Sequence, residues 1–214
     1  MVACDSRGVS EFAPIGEIID PDFLLSAYAS GMFPMAMEDG HIGWFSPEMR
    51  GVIPLDEFHI PKGLRRVLKK QPFEIRVDTA FLEVIEGCAE RDETWISETI
   101  VRTYWELHRL GCAHSVEAWR DGELVGGLYG VRLGSAFFGE SMFSRVSEAS
   151  KVSLVHLVER MRAGGFTLLD TQWSNDHLVQ FGCVEMPADE YDQLLDIAVD
   201  GDADWWAIDG GRPE

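Results

Sequence analysis

The sequence predicts an α+β fold, with a small N-terminal domain followed by a larger one built on a mainly antiparallel sheet. Three observations carry this reading. Apolar residues recur at helical spacing in two segments before residue 111. Asp121-Gly122 separates two strand-like runs and is a strong hairpin signal. A capped apolar helix pattern then leads into the apolar run 166–171. Helices, a hairpin meander, a further helix and a last strand make a layered sheet domain.

Taken in order, residues 1–19 carry few structural signals. Asp20 and Pro21 read as an N-cap and first helical residue, with Phe23, Leu24 and Tyr28 following and Gly31 closing the helix. Met32-Phe33-Pro34 and Gly43–Pro47 are aromatic and punctuated by proline, which predicts loops or short edge strands. Leu64, Val67 and Leu68 give a short helix one apolar stripe. A strand is expected over 73–77 and a helix face at Ala80, Phe81, Val84, Ile85 and Cys88. Ser97 caps a second helix stopped at Gly111, the hairpin occupies 114–131, and 135–139 form the next strand. Ser147 is expected to cap a helix carrying Val152, Val155, Leu157, Val158 and Met161, closed by Gly164-Gly165. A short helix over 176–181 follows the strand 166–171. The expected organisation is a domain over 1–58, a catalytic domain over 59–199 and an acidic, frayed tail over 200–214, where Trp205-Trp206 could dock.

The formal charge of −19 argues at first against a nucleic-acid partner. Its distribution argues otherwise. Residues 1–58 hold 10 acids against 2 bases and residues 188–214 hold 9 against 1, so the segment between them is close to balanced. Within it, Lys62, Arg65, Arg66, Lys69 and Lys70 lie between Ile60 and Phe73 with no acid among them. Phosphate binding depends on cation density within a Debye length, about 8 Å at physiological salt, so a local patch outweighs the average. No 18-residue apolar run predicts a membrane span, and no basic-then-apolar N-terminus predicts a signal peptide. Cys4, Cys88, Cys112 and Cys183 lie far apart without a CxxC pair, which points to reduced thiols in a cytoplasm rather than zinc or a disulfide framework.

Several residues are candidates for chemistry, each with a plainer reading beside it. Gly139-Glu140-Ser141-Met142-Phe143 lacks the second glycine of a nucleophile elbow, which removes a serine hydrolase. The six histidines show no ligand spacing, so no metal is expected. Asp170 and Gln172 are two apart at a strand end and share a face; reacting groups and turn formation explain them equally well. Glu140 is a lone acid in an apolar stretch, which either pairs with Arg145 or Lys151 or meets a cationic substrate. Trp44, Phe45, Trp95 and Tyr104 could stack a nucleobase at a single-stranded RNA end, although most aromatics in a domain are core.

Several segments in order resemble the bacterial leucyl/phenylalanyl-tRNA–protein transferase family. They are FLLSAYASGMFPM, GWFSPEMRGVIPL, HIPKGLRRVLKK, VIEGCA, TWISETIVRTYWELHRLGCAHSVEAW, ELVGGLYGV, FFGESMFSR, ASK and LLDTQWSNDHLVQFGC, spread over roughly 21–195. The resemblance implies a small N-terminal domain and a domain of the Gcn5-related N-acetyltransferase type. It implies transfer of leucyl or phenylalanyl, with methionyl a third candidate, from aminoacyl-tRNA to the N-terminal amine of proteins beginning with Lys or Arg, marking them for N-end-rule degradation. Carried over by motif, Asp170 and Gln172 match the catalytic pair, Glu140 an acid near the substrate, and Trp44 an aromatic stacking the terminal adenosine. Leu128, Met142, Leu154, Leu157 and Met161 align with the amino-acid pocket, and the basic run with the acceptor phosphates.

The chain departs from the family pattern at Phe45, which replaces the second of two tandem tryptophans, and at Thr171, where cysteine is usual. Leu157 and Met161 stand in place of larger aromatics, and no GGDL-type segment precedes Asp20. No cofactor is implied, and a monomer is expected. Two alternatives stay open: the same reaction onto acidic N-termini, and a coenzyme-A-dependent N-acetyltransferase. The second lacks its pyrophosphate loop, because residues 144–149 contain no glycine.

Overall fold

In the computed structural model, which describes residues 18–210, Asp121 and Gly122 have φ of 56° and 83°. This is the left-handed pair that a two-residue hairpin requires. The turn joins β5 (Ala113–Arg120) to β6 (Glu123–Leu133), and β7 (Ala136–Ser144) continues the antiparallel meander. Helix α5 (Ala149–Gly164) then crosses over, and β8 (Leu168–Gln172) pairs parallel to β7. Left-handed Gly165 ends α5, as the sequence predicts. The meander followed by a crossover helix and a parallel strand makes the α+β architecture expected.

The rest of the sheet comes from distant segments. Strand β4 (Glu74–Val77) pairs with β5 at one edge. At the other, β3 (Met49–Val52) hydrogen-bonds between β8 and β9 (Val184–Pro187). The sheet order is therefore β4-β5-β6-β7-β8-β3-β9. Residues 49–52, read from sequence as part of the N-terminal segment, are thus built into the large sheet. A four-residue strand with prolines close on both sides has too little alternation to announce itself. The aromatic segments before it, β1 (Phe33–Ala36) and β2 (Ile42–Phe45), form a separate two-stranded hairpin.

Alternate residues on the strands feed two cores. On one face, α1 (Pro21–Ala29), α3 (Phe81–Ala89), α4 (Glu98–Arg109) and α7 (Ala188–Val199) pack over Tyr129, Val131 and Phe138. On the other, α5 and α2 (Lys62–Lys70) cover Leu128, Phe137 and Leu169. Asp20 and Ser97 cap α1 and α4 as expected, accepting from Phe23 N and Ile100 N.

Several expectations need correction. Ser147 does not cap α5. Glu148 takes a left-handed φ of 71°, and Ser144 Oγ, brought back from the end of β7, accepts from Ser150 N at 2.9 Å. The segment 200–210 is not frayed: Trp205 is fully buried, stacked on Phe137 and His114, and its carbonyl accepts from Arg160. Acidity masked this docking, because the indole supplies the apolar area and the acids stay outside. Helix α7 was also hidden by that acidity. The thiols are not all reduced: Cys112 is disulfide-bonded, while Cys88 and Cys183 are free and buried. The weak structure expected over residues 1–19 falls mostly on 1–17, which lie outside the described residues, as does Cys4.

Candidate active site

The parallel pairing of β7 with β8 covers only residues 136–138 against 168–170. Beyond it β7 runs on to Ser144 without β8 beside it, and the gap is a cavity of about 700 Å³. Its walls include Leu128, Met142, Leu154, Leu157 and Leu169, with Glu140, Gln172, Trp95 and Trp173 among the polar and aromatic groups. Splaying two parallel strands exposes strand ends and apolar side chains together, which is how a sheet makes a substrate pocket.

At the head of the gap lies a buried polar network. Asp170, 0% exposed, sits opposite Arg50, 1% exposed, with Nε to Oδ1 at 3.0 Å and Nη2 to Oδ2 at 2.6 Å. Tyr191 on α7 donates to Oδ2 at 2.6 Å, and the backbone nitrogen of Gln172 donates to Oδ1 at 2.7 Å. That last bond holds Gln172 at a left-handed φ of 63°, which ends β8. Gly51 permits the turn, because a Cβ there would lie 2.5 Å from the Trp173 carbonyl carbon. The side chain of Gln172 is thereby delivered to Glu140, with Nε2 to Oε1 at 3.1 Å.

Glu140 is 8% exposed and faces the cavity. Tyr28 donates to its Oε1 at 2.6 Å and Tyr104 to its Oε2 at 3.1 Å, and the two phenol oxygens are 2.5 Å apart. Burial raises the Glu140 carboxyl to about 7, and the bonds from Tyr28, Gln172 and Tyr104 oppose that rise without cancelling it. Burial, with Glu140 nearby, pushes both phenols above their ordinary range, so they remain donors. A carboxyl that titrates near neutrality at the wall of an apolar cavity can hold or release one proton during a reaction.

Glu140, Asp170, Gln172 and Tyr104 thus come together, while Trp95, Leu128, Met142, Leu154 and Leu157 line the cavity. Neither base proposed for Glu140 reaches it. Arg145 pairs with Glu90 and Lys151 with Glu148. Tyr104 is fully buried and offers no face for a base to stack on. Trp44 stands outside the cavity with its ring edge-on to Phe23, centroids 5.3 Å apart. Met161 is fully buried in the core beneath α5 and does not line the cavity. Lys62, Arg65, Arg66, Lys69 and Lys70 are all exposed on α2, and no ion pair within 4.0 Å ties them to a described acid.

Sequence reasoning missed Arg50, Tyr28, Tyr191, Arg91 and Trp173. Arg50 carried a signal in hindsight, being one of 2 bases in the acidic first 58 residues. Tyr191 carried none, because only α7 docking on the sheet brings it to Asp170.

An α+β sheet crossed by α5, with a buried carboxyl heading an apolar cavity between splayed strands, suits an enzyme that seats an apolar group beside a proton acceptor. The chain belongs to the leucyl/phenylalanyl-tRNA–protein transferase family. The family model for leucyl/phenylalanyl-tRNA protein transferase matches residues 52–196, and that for its N-terminal domain matches 17–48. A leucyl/phenylalanyl-tRNA–protein transferase of Salinibacter ruber is 54% identical over 191 residues, covering 89% of this chain and 84% of the relative. Those of Herpetosiphon aurantiacus and Gloeobacter violaceus are 57% and 59% identical over 178 residues, each covering 83% of this chain and 93% and 92% of the relative.

Proposed function

We propose that this chain moves leucine or phenylalanine from aminoacyl-tRNA onto the N-terminal amine of proteins that begin with Lys or Arg. Its setting is then the cytoplasm, its acceptors are marked for N-end-rule degradation, and it works as a monomer. The observation that carries the reading is Glu140: a carboxyl at about 7, in the wall of a cavity whose other walls are Leu128, Met142, Leu154 and Leu157.

The donor ester is already activated, so the protein need supply no nucleophile of its own. It must seat the amino-acid side chain, orient the amine, remove a proton and allow the ribose oxygen to leave. The apolar walls take Leu or Phe, and flexible Met142 adapts to either. Glu140 accepts a proton from the incoming ammonium. The neutral amine attacks the ester carbonyl, a C–N bond forms and the C–O bond to ribose breaks. The proton on Glu140 then goes to the departing ribose oxygen, and the carboxylate so restored takes the surplus proton from the attacking nitrogen, leaving a neutral amide, the free ribose hydroxyl and one proton for solvent. The Gln172 amide, already donating to Glu140, has its carbonyl oxygen left to accept from the amine. Asp170 lies behind the cavity wall and acts as a positioning residue through Gln172. The exposed cations of α2 hold acceptor-stem phosphates.

The test is transfer of labelled Leu, Phe and Met from charged tRNA to peptides beginning with Lys, Arg, Asp or Glu, beside a coenzyme A titration. Leu and Phe should pass to the Lys and Arg peptides. Transfer only to Asp or Glu peptides, or tight coenzyme A binding without transfer, would replace the proposal with the matching alternative.

A further inference from the structure

The cavity holds one cation that the reaction scheme does not use. Arg91, just beyond the end of α3, is the sole Arg or Lys among the lining residues, on a chain of net charge −19. One of its nitrogens is fixed: Nη2 donates to Ser141 Oγ at 3.0 Å and to the Met142 carbonyl at 2.8 Å. Its Nε and Nη1 make no hydrogen bond, and no ion pair within 4.0 Å joins it to an acid, among the described residues. Its neighbours Glu90, Asp92 and Glu93 are exposed, and Glu90 is taken by Arg145. A guanidinium anchored by one arm, with two donors free at a cavity lip, is arranged to receive an anion.

Position decides which anion. The anchor points, Ser141 and Met142, directly follow Glu140 on β7, so Arg91 stands close to where the amine meets the ester. Of the two reactants in the proposed function, the acceptor brings a cation. The donor brings a phosphate, on the far side of the same ribose that carries the ester. Trp95 lies four residues along from Arg91 and lines the same cavity, with a ring available to a base.

We infer that Arg91 is the subsite for the phosphate 5′ to the donor's terminal nucleoside. This rests on the donor being an aminoacylated nucleotide, as proposed above. It is separate from the α2 patch, since α2 packs against α5 on the opposite face of the sheet from α3. The subsite would set the ester in register with Glu140, where charge at the rim of α2 could only attract it.

The experiment compares two small donors that bypass the α2 patch, 3′-O-phenylalanyl-adenosine and its 5′-phosphate, with a peptide beginning with Arg as acceptor. In the wild type the phosphate should lower KM by roughly fivefold to tenfold, the range of a partly exposed charge-assisted bond, and the advantage should shrink as salt rises. Arg91→Gln should abolish that difference while leaving KM for the unphosphorylated donor unchanged, and Arg91→Lys should restore part of it. An undiminished phosphate advantage in Arg91→Gln, or no advantage in the wild type, overturns the inference. Equal loss with both donors also overturns it, because Arg91 would then only be holding β7. If the wild type uses charged tRNA but neither small donor, the isolated subsite fails alone. If it uses no aminoacyl donor at all, the proposed function falls as well.

Discussion

Arg50 and Asp170 form an ion pair with no solvent on either side, Nη2 to Oδ2 at 2.6 Å, joining β3 to β8. Every acceptor position of the carboxylate used in the fold is filled from the protein: Arg50, Tyr191 and the Gln172 backbone. Arg50 spends its remaining arm on the Gly31 carbonyl, at 2.8 Å, which ties in the end of α1. Removing one partner leaves the other charged and buried, which typically costs about 3–5 kcal/mol. Arg50→Met should therefore lower the urea midpoint by that equivalent with an unchanged slope. A loss under about 1 kcal/mol would mean that water reaches Asp170 in solution.

Asp170→Asn keeps the size of the side chain and removes its charge. Since Asp170 reaches the cavity only through Gln172, the variant should slow transfer far more than it weakens aminoacyl-tRNA binding. Stopped-flow transfer and equilibrium binding measured together decide this. Wild-type turnover in the variant removes the Asp170–Gln172 link from the mechanism.

Glu140 gives a pH signature with two opposite arms. A base must be ionised, so kcat/KM should rise with pH through about 7 and level off above it, and Glu140→Gln should lose that limb. Stability should run the other way. The folded carboxyl titrates at about 7, above its ordinary value of 4.5, so the folded state binds the extra proton between those values. That contribution is fully present below about 4.5 and is lost as pH rises through 7. The difference is on the order of 3 kcal/mol, and Glu140→Gln should flatten it. Thermal melts of both proteins from pH 5 to 8 provide the check.

The pocket walls separate two leucine-sized positions that sequence treats alike. Leu157 lines the cavity, so Leu157→Phe should disfavour phenylalanyl donors relative to leucyl by about 1–3 kcal/mol. Met161 lies in the core, so Met161→Phe should cost about 1–3 kcal/mol of stability by overpacking and leave the Phe/Leu ratio unchanged. Competition between the two charged tRNAs reads both. A changed ratio in Met161→Phe would place that residue back in the pocket.

The α2 cations are tested through salt. Each phosphate neutralised contributes a slope of roughly −0.9 in duplex or −0.7 in single strands to the dependence of log affinity on log salt. Replacing Arg65, Arg66 and Lys69 with Gln should flatten the slope and raise KM for charged tRNA while kcat stays nearly constant. An unchanged slope would leave these cations as counterweights to the acidic ends of the chain.

Whatever is local can be read from the residues alone. Asp121-Gly122 specified the central hairpin because left-handed backbone at both positions suits those two residues. Leu64, Val67 and Leu68 specified the face of α2 that packs inward, Leu64 fully and the other two in part, so its five cations had to face water. The order of the motifs determined the family, and the spacing of Asp170 and Gln172 put them on one side of a strand end. Tertiary structure alone decided what fills the site. Strand β3 is too short to carry a periodic signal, and α7 has an apolar face of Tyr191, Leu195 and Ala198 among its acids without any sign of what it packs on, yet the two deliver Arg50 and Tyr191 to Asp170. It also decided that Glu140 meets two phenols and an amide instead of Arg145 or Lys151, that Tyr104 is closed off, and that Met161 is core. The physical reason is range: turn chemistry and amphipathic faces act within a few residues, whereas the state of a buried carboxyl depends on whichever side chains distant segments pack around it.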